Sequence, residues 1–408
     1  MDEKQHHKKA NPVTGANVIS RLFFWWLNPF FTTGSQRPLE VDDMFNVLKE
    51  DSSQLLCTEL QKHWEDELKN TKEGKKPSLF RAIAKTFGRS WAFCGIVCFI
   101  EEFTKIIQPL MLAGLIRYFY PDSGVTETWA YIYALGLSLS SIVIAIAHHP
   151  YFYQVQLVGM RIRIACCALI YQKALRLSNK SFGKTTVGHI VNLLSNDVNR
   201  FDQFTLFLHF LWIGPIQAIA VLVILWYKIG PASVAGFGVL ILLTPVQGSM
   251  GKLFSKLRNK VAKQTDQRVR IMNEILNGIR VIKMYCWENL FSGLVNQVRS
   301  NESARVMSAN MARAAILSPF FLAIKMITFV IFTTYVLTGS SLDSEKVFLT
   351  LGLIGPVRLV MALFLPFAIT SIAETKVTMS RVQVGQRSRS FRVQRSFGMH
   401  NEVKLITC

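Results

Sequence analysis

The chain has 408 residues, half of them apolar, 12% aromatic and 18% charged; this excludes a disordered chain and fits an ordinary soluble enzyme poorly. Its 46 Lys and Arg against 26 Asp and Glu leave a formal charge of +20. A chain both apolar and basic either binds nucleic acid through a basic face or is a membrane protein holding its surplus Lys and Arg on the cytoplasmic side, and the placement of the charges separates the two.

Residues 1–90 read as a nearly neutral cytoplasmic lead-in. Positions 1–14 are polar with no apolar run, so no cleavable signal peptide is expected. Within the lead-in, SRLFFWWLNPFF at 20–31 is too short to cross a bilayer and too aromatic to lie free in water. With Arg21 near its start it reads as an interfacial elbow helix at the headgroups, ended or bent by Pro29. Six apolar stretches then follow, at 91–118, 130–155, 206–227, 232–253, 314–337 and 347–373, each near the roughly 20 residues a spanning helix needs.

Three connections between spans are short (119–129, 228–231, 338–346) and two are long (156–205, 254–313). The first and last short connections carry Asp122, Glu127, Asp343 and Glu345 against Lys346, whereas the long ones carry most of the Lys and Arg, from Arg161 to Arg200 and from Lys256 to Arg313. That is the positive-inside pattern. It puts the long loops and both termini in the cytoplasm and leaves no basic face for nucleic acid. The long loops are poor in Pro, Gly and Ser, and Met272, Leu276 and Ile279 recur at helical spacing, so the membrane helices are expected to continue as cytoplasmic stalks. Each pair of stalks should turn near 183–192 and near 285–292. The seven cysteines lie in helices or cytoplasmic segments, so no disulfide is expected, and Cys94 and Cys98 read as packing residues rather than zinc ligands.

Ionisable residues within spans are costly and face cavities or one another. Here they are Glu101, Glu102 and Lys105 in the first span, His148 and His149 in the second, Lys325 in the fifth, and Arg358 and Glu374 at or near the sixth. Lys105 lies four residues from Glu101, which allows a local pair; Lys325 and Arg358 have no such acid and are candidate ligands for organic anions. Aromatic residues near these cations suit molecules apolar at one end and anionic at the other. Pro109, Pro215 and Pro366 lie within spans, where kinks can shape a cavity.

Taken in order, FFWWLNPFF (23–31), RPLEVDDMF (37–45), KALRLS (173–178), GHIVNLLSNDVNRFD (188–202), MNEILNGIRVIKMYCWE (272–288) and VRLVMALF (357–364) resemble the multidrug resistance-associated proteins, subfamily C of the ATP-binding-cassette exporters. The resemblance covers about residues 10–383. It implies an all-α membrane fold: a six-helix exporter transmembrane domain with long cytoplasmic extensions over 91–378, and a divergent basic tail over 379–408, read as disordered. It also implies that Lys105, His148, Phe152, Phe207, Phe320, Lys325, Arg358 and Phe364 fall on the substrate cavity. Coupling helices that seat in ATPase domains are implied at 185–192, with Thr185, Val187, His189 and Ile190, and at 285–291, with Tyr285, Trp287, Glu288 and Phe291.

The chain carries no GxxxxGK[ST] loop. SFGKTT at 181–186 imitates one, but Ser178 stands where its first glycine would be. No ATP or Mg²⁺ site is therefore expected in this chain, both belonging to ATPase domains beyond it, and no metal-binding or catalytic set is visible. Expected partners are the lipid bilayer, amphipathic organic anions, and ATPase domains or a full-length exporter in trans, with no nucleic acid; the expected location is the plasma membrane. Two functions fit: the transmembrane half of an organic-anion exporter working by alternating access, or a non-transporting form that assembles with or regulates a full-length exporter.

Overall fold

The structure is a computed structural model that describes residues 9–69, 77–121, 123–175 and 187–387. In chain order its helices are α1 (Val18–Leu22), α2 (Asn28–Gln36), α3 (Ser53–Lys69), α4 (Leu79–Tyr118), α5 (Glu127–Leu175), α6 (Val187–Asn192), α7 (Arg200–Leu208), α8 (Phe210–Ile229), α9 (Ala232–Asn277), α10 (Ile279–Met284), α11 (Glu288–Leu337), α12 (Ser344–Leu359) and α13 (Leu365–Arg387). Among the described residues there is no β-strand, only an isolated bridge between Lys9 and Phe45. The chain is an all-helical membrane-domain fold.

Three helical stretches, Glu127–Leu175, Ile190–Ile229 and Ser344–Gln383, are long and apolar enough to cross a membrane; Ala232–Leu243 and Phe321–Leu337 are shorter apolar stretches. The helix covering the first expected span, α4, carries Glu101, Glu102 and Lys105 in the middle of its apolar run. The stalk reading has a direct counterpart: α5, α9 and α11 are 49, 46 and 50 residues long, far beyond a bilayer's need.

The chain divides into two compact units that do not follow sequence blocks: Met1–Ile96 with His149–Leu206 and Ser371–Cys408, and Val97–His148 with Phe207–Thr370. The boundaries drawn at 90/91 and 378/379 fall inside unbroken helices, because no Gly–Pro punctuation interrupts α4 or α13 there. The expected disorder of the tail also begins too early. Residues up to 387 are helical, with Met379 and Val382 buried, and 388–408 lie outside the described residues.

In the first unit, α3 places Leu56, Leu60 and Trp64 on one face at four-residue spacing. They pack with Leu79, Ile83 and Phe87 of α4 and with Val158, Ile162, Ala165 and Leu169 of α5. Glu67 is 3% exposed but meets Lys85 Nζ at 2.9 Å and Arg81 Nε at 3.4 Å. The 20–31 segment differs from the single interfacial helix expected. Phe24 has φ 57°, so the chain breaks after α1, makes a 3-10 turn over Trp25–Leu27 and restarts as α2. Pro29 lies in the first turn of α2, where its fixed φ starts the helix rather than ending it.

In the second unit, Val221, Leu225 and Ile229 of α8 pack with Phe237 and Leu240 of α9, Ile327 and Ile331 of α11, and Leu349, Leu353 and Val357 of α12. Several contacts need glycine. A Cβ on Gly236 would lie 2.3 Å from Ile331 Cγ1, and one on Gly352 would lie 2.8 Å from Pro109 Cβ. Pro109 thus serves as a packing surface for α12 within an unbroken α4. Between α12 and α13 the helix widens into a π turn, Val360–Phe364. Pro356 and Pro366 flank it, each lacking the N–H that an α-helix would use.

Candidate functional site

Within the apolar run of α4, Glu101 and Glu102 are each 2% exposed. Lys105 Nζ lies 2.7 Å from a carboxylate oxygen of each, His148 Nδ1 lies 2.7 Å from Glu101 Oε1, and Gln217 Nε2 donates to Glu102 Oε2 at 2.9 Å. The local pair allowed by sequence spacing therefore forms and is doubled, one ammonium between two carboxylates. Buried charges persist only when paired and hydrogen-bonded, so the Lys105 charge is balanced within the protein. His148 joins the same network through Glu101. The sequence pointed to Lys105 and His148 singly; Gln217, buried on the apolar α8, could be found only by tertiary packing.

The aromatic candidates are gathered in part. Phe207 stacks near Phe364, with ring centroids 5.8 Å apart, and near Phe367 at 5.4 Å, and Phe210 lies 4.5 Å from Phe364. Phe210 and Phe367 are thus members of this cluster that sequence reasoning missed; a signal was present in their three-residue offsets from Phe207 and Phe364. The π turn ends at Phe364, and such turns often mark functional sites. Phe152 lies in the first unit, edge-on to Tyr151 at 5.1 Å. Lys325 is exposed on α11 and Arg358 half-buried on α12. Phe320 is in α11, and its side chain lies outside the described ones.

The second expected coupling segment forms the tip between α10 and α11. Cys286 adopts φ 53°, Trp287 N–H donates to Ile282 O at 3.0 Å, and Cys286 N–H donates to Lys283 O at 3.4 Å. This is the paired-bond helix stop usually built on glycine. The Tyr285 and Trp287 rings stack 5.1 Å apart, and Lys283 Nζ reaches Glu288 Oε1 at 3.0 Å. Glu288 is held below the usual carboxylate range, first by its backbone N–H at the helix start and then by Lys283. The outcome is an ordered turn presenting apolar side chains: Met284 is 78% exposed, Tyr285 61%, Leu290 71%, with Trp287 also exposed and Phe291 half-buried.

The first coupling segment is less complete. Thr185 lies outside the described residues, as does the phosphate-loop imitation at 181–186, and the side chains of Val187 and His189 are likewise outside. Ile190 packs against the first unit's core while Val191 is exposed. Part of this short helix thus faces its own unit.

Behind the second tip, Glu302 of α11 accepts from Thr265 Oγ1 at 2.7 Å and from Arg268 Nε at 2.7 Å, both on α9, and from Arg299 Nη1 at 2.9 Å. The Thr265 hydroxyl first, then the two guanidinium groups, hold the carboxyl down at about 2. Sequence reasoning gave these residues no role, since thirty-odd intervening positions separate the two stalk faces.

Comparison with known proteins agrees with this geometry. The family profile described as the ABC transporter transmembrane region matches residues 91–365. The chain is 51% identical over 379 residues to mouse ATP-binding cassette sub-family C member 4, covering 92% of this chain and 29% of that protein. It is 50% identical over 392 residues to the human protein of the same name, covering 93% and 30%. It is 31% identical over 384 residues to the probable multidrug resistance-associated protein lethal(2)03659 of Drosophila melanogaster, covering 94% and 28%. The chain spans less than a third of the length of each of these relatives.

Proposed function

We propose that this chain, which belongs to the ABC transporter transmembrane-region family, supplies the six-span pathway through which an ATP-driven exporter moves amphipathic organic anions by alternating access. The observation that carries this is the α10–α11 tip. Four large apolar side chains, Met284, Tyr285, Trp287 and Leu290, stand exposed on a well-bonded turn far along two stalks. Aromatic anchors of this kind dominate interfaces when a partner covers them. ATPase domains are that partner in this reading, with ATP and Mg²⁺ acting there, and their closure would draw the stalks together.

Within the pathway, Lys325 and Arg358 supply the attraction for anions, while Lys105 is balanced by Glu101 and Glu102. The Phe207–Phe364–Phe210 cluster offers the apolar wall for the rest of the molecule, and His148 and Phe320 complete the second unit's share of the cavity set. Both termini are cytoplasmic in this topology, and the plasma membrane is the proposed location.

The test is uptake of a sulfated amphiphile into inside-out vesicles holding this chain together with ABC-type ATPase domains. Uptake should need ATP. Tyr285→Ala with Trp287→Ala should abolish the ATP dependence while binding of the amphiphile persists, and Lys325→Ala with Arg358→Ala should weaken binding. ATP-dependent uptake undiminished by the tip variants would sink the coupling role. The same exposed tip also supports a second reading, assembly with a full-length exporter in trans; co-purification lost in the tip variants, without uptake by the chain's own complex, would favour it.

A further inference from the structure

A pocket of about 490 Å³ lies in the first unit, within the range of small-molecule sites. Phe80 at the start of α4, Phe204 of α7, and Ile372 and Met379 of α13 form its apolar walls, and Ser78, Thr375, Lys376, Ser380 and Gln383 add polar groups. None of these residues belongs to the expected substrate set. Thr375 is 1% exposed, and its Oγ1 has no hydrogen-bond partner. That is unusual for this helix: Thr370 donates its hydroxyl back to Pro366 O and Phe367 O, each at 3.0 Å. A buried hydroxyl without an acceptor costs roughly 1–3 kcal/mol, so an acceptor from outside the protein would relieve it.

Lys376 is exposed at the same pocket. The carboxylates close to it in sequence or across this unit are already engaged, Glu374 by Arg200 and Asp197 by Arg381. Lys376 has no acidic partner among the described residues. The pocket therefore offers apolar walls, one unpartnered buried hydroxyl, one unneutralised ammonium and the polar side chains of Ser78, Ser380 and Gln383, the complement of an amphiphile with an oxygen-rich anionic head.

We propose that this pocket holds an acyl chain of an anionic phospholipid from the cytoplasmic leaflet, with Thr375 donating to an ester or phosphate oxygen and Lys376 facing the headgroup charge. The location argues for a lipid rather than a soluble solute. Phe204 and Ile372–Met379 lie at the cytoplasmic ends of the spans expected at 206–227 and 347–373, where anionic headgroups attract Lys and Arg. The assignment rests on the membrane topology proposed above.

The experiment places the full chain in phosphatidylcholine nanodiscs doped with phosphatidylserine bearing a photoreactive diazirine on its acyl chain, and maps the adducts by mass spectrometry. Adducts should concentrate on peptides carrying Phe80, Phe204 and 372–379. Lys376→Gln should lower them about fivefold, the factor matching one basic residue at an anionic surface. Thr375→Val, which keeps the side chain's shape, should lower them while leaving the chain's melting temperature unchanged or raised. Labelling of the same peptides by diazirine phosphatidylcholine should be insensitive to Lys376→Gln. Adducts absent from these peptides, or unchanged in both variants, would overturn the proposal. So would an alkyl sulfate below its micellar concentration displacing the lipid, because the pocket would then belong to soluble anions. Topology is read separately by a membrane-impermeant amine reagent on Lys376 in sealed vesicles. Labelling only from the outer side sinks the proposed spans; cytoplasmic labelling without pocket adducts sinks the lipid assignment alone.

Discussion

Two charged clusters in the second unit are near mirror images. In α4 one cation, Lys105, is held by two carboxylates, Glu101 and Glu102, inside an apolar run. In the stalks one carboxylate, Glu302, is held by two guanidinium groups and a hydroxyl. In the first cluster Lys105 and both carboxylates sit on α4, with His148 and Gln217 bonding to them from α5 and α8, so its main effect is to make charge tolerable where water is scarce. The second joins two helices, so its main effect is to tie α9 to α11. In the apolar run the cation and both its carboxylates share one helix, whereas in the stalks the carboxylate and its partners are divided between two.

The largest expected effect breaks the first cluster. Lys105→Met strands two buried carboxylates and should destabilise the purified chain by about 3–5 kcal/mol. The triple change Lys105→Met, Glu101→Gln, Glu102→Gln should recover most of that loss. Both are read by thermal melting in detergent; a single variant as stable as the triple would show that the cluster is not a buried charge problem at all.

The next effect concerns pH. Glu302 is depressed from 4.5 to about 2, so its tie is fully present above 4.5 and is lost as pH falls from there toward about 2. Spin labels on α9 and α11 should report a narrow distance distribution that broadens across that window. Glu302→Gln should be broad already at neutral pH, and matching behaviour of the two proteins would remove the tie from the comparison. Within the same cluster, Arg268→Gln should broaden the distribution more than Arg299→Gln. Arg268 is 29% exposed and reaches across from α9, whereas Arg299 is 64% exposed and binds within its own helix.

The smallest effect lies at the tip these stalks carry. Cys286 holds a left-handed conformation that costs a side-chain-bearing residue about 1 kcal/mol. Cys286→Gly should raise the melting temperature slightly without altering the exposed Tyr285–Trp287 pair. A lowered melting temperature would mean that the thiol itself contributes to the turn.

Much of the fold was legible because hydropathy and charge act locally. A run such as 206–227 is apolar whatever surrounds it, and the segments beyond the spans, poor in Pro and Gly, continue as helix, which is why the stalks of α5, α9 and α11 could be read directly. The site was legible only in part. The Lys105–Glu101 spacing suggested a pair and Glu102 joins it from the same helix, but His148 and Gln217 meet it only through packing across helices. Phe207 and Phe364 were separately visible, while the ring cluster that joins them depends on a π turn that no residue pattern marks, apart from the flanking Pro356 and Pro366.

By itself the sequence determined the helical class, and it set the expectation for the spans and for the side on which positive charge accumulates, since each follows from composition over a window of residues. Only the tertiary structure decided which charges neutralise one another, where the compact units divide, and which apolar side chains remain uncovered at the stalk tip. Those outcomes depend on residues far apart in the chain arriving within a few ångströms, and pairwise geometry of that kind is not written in any local stretch.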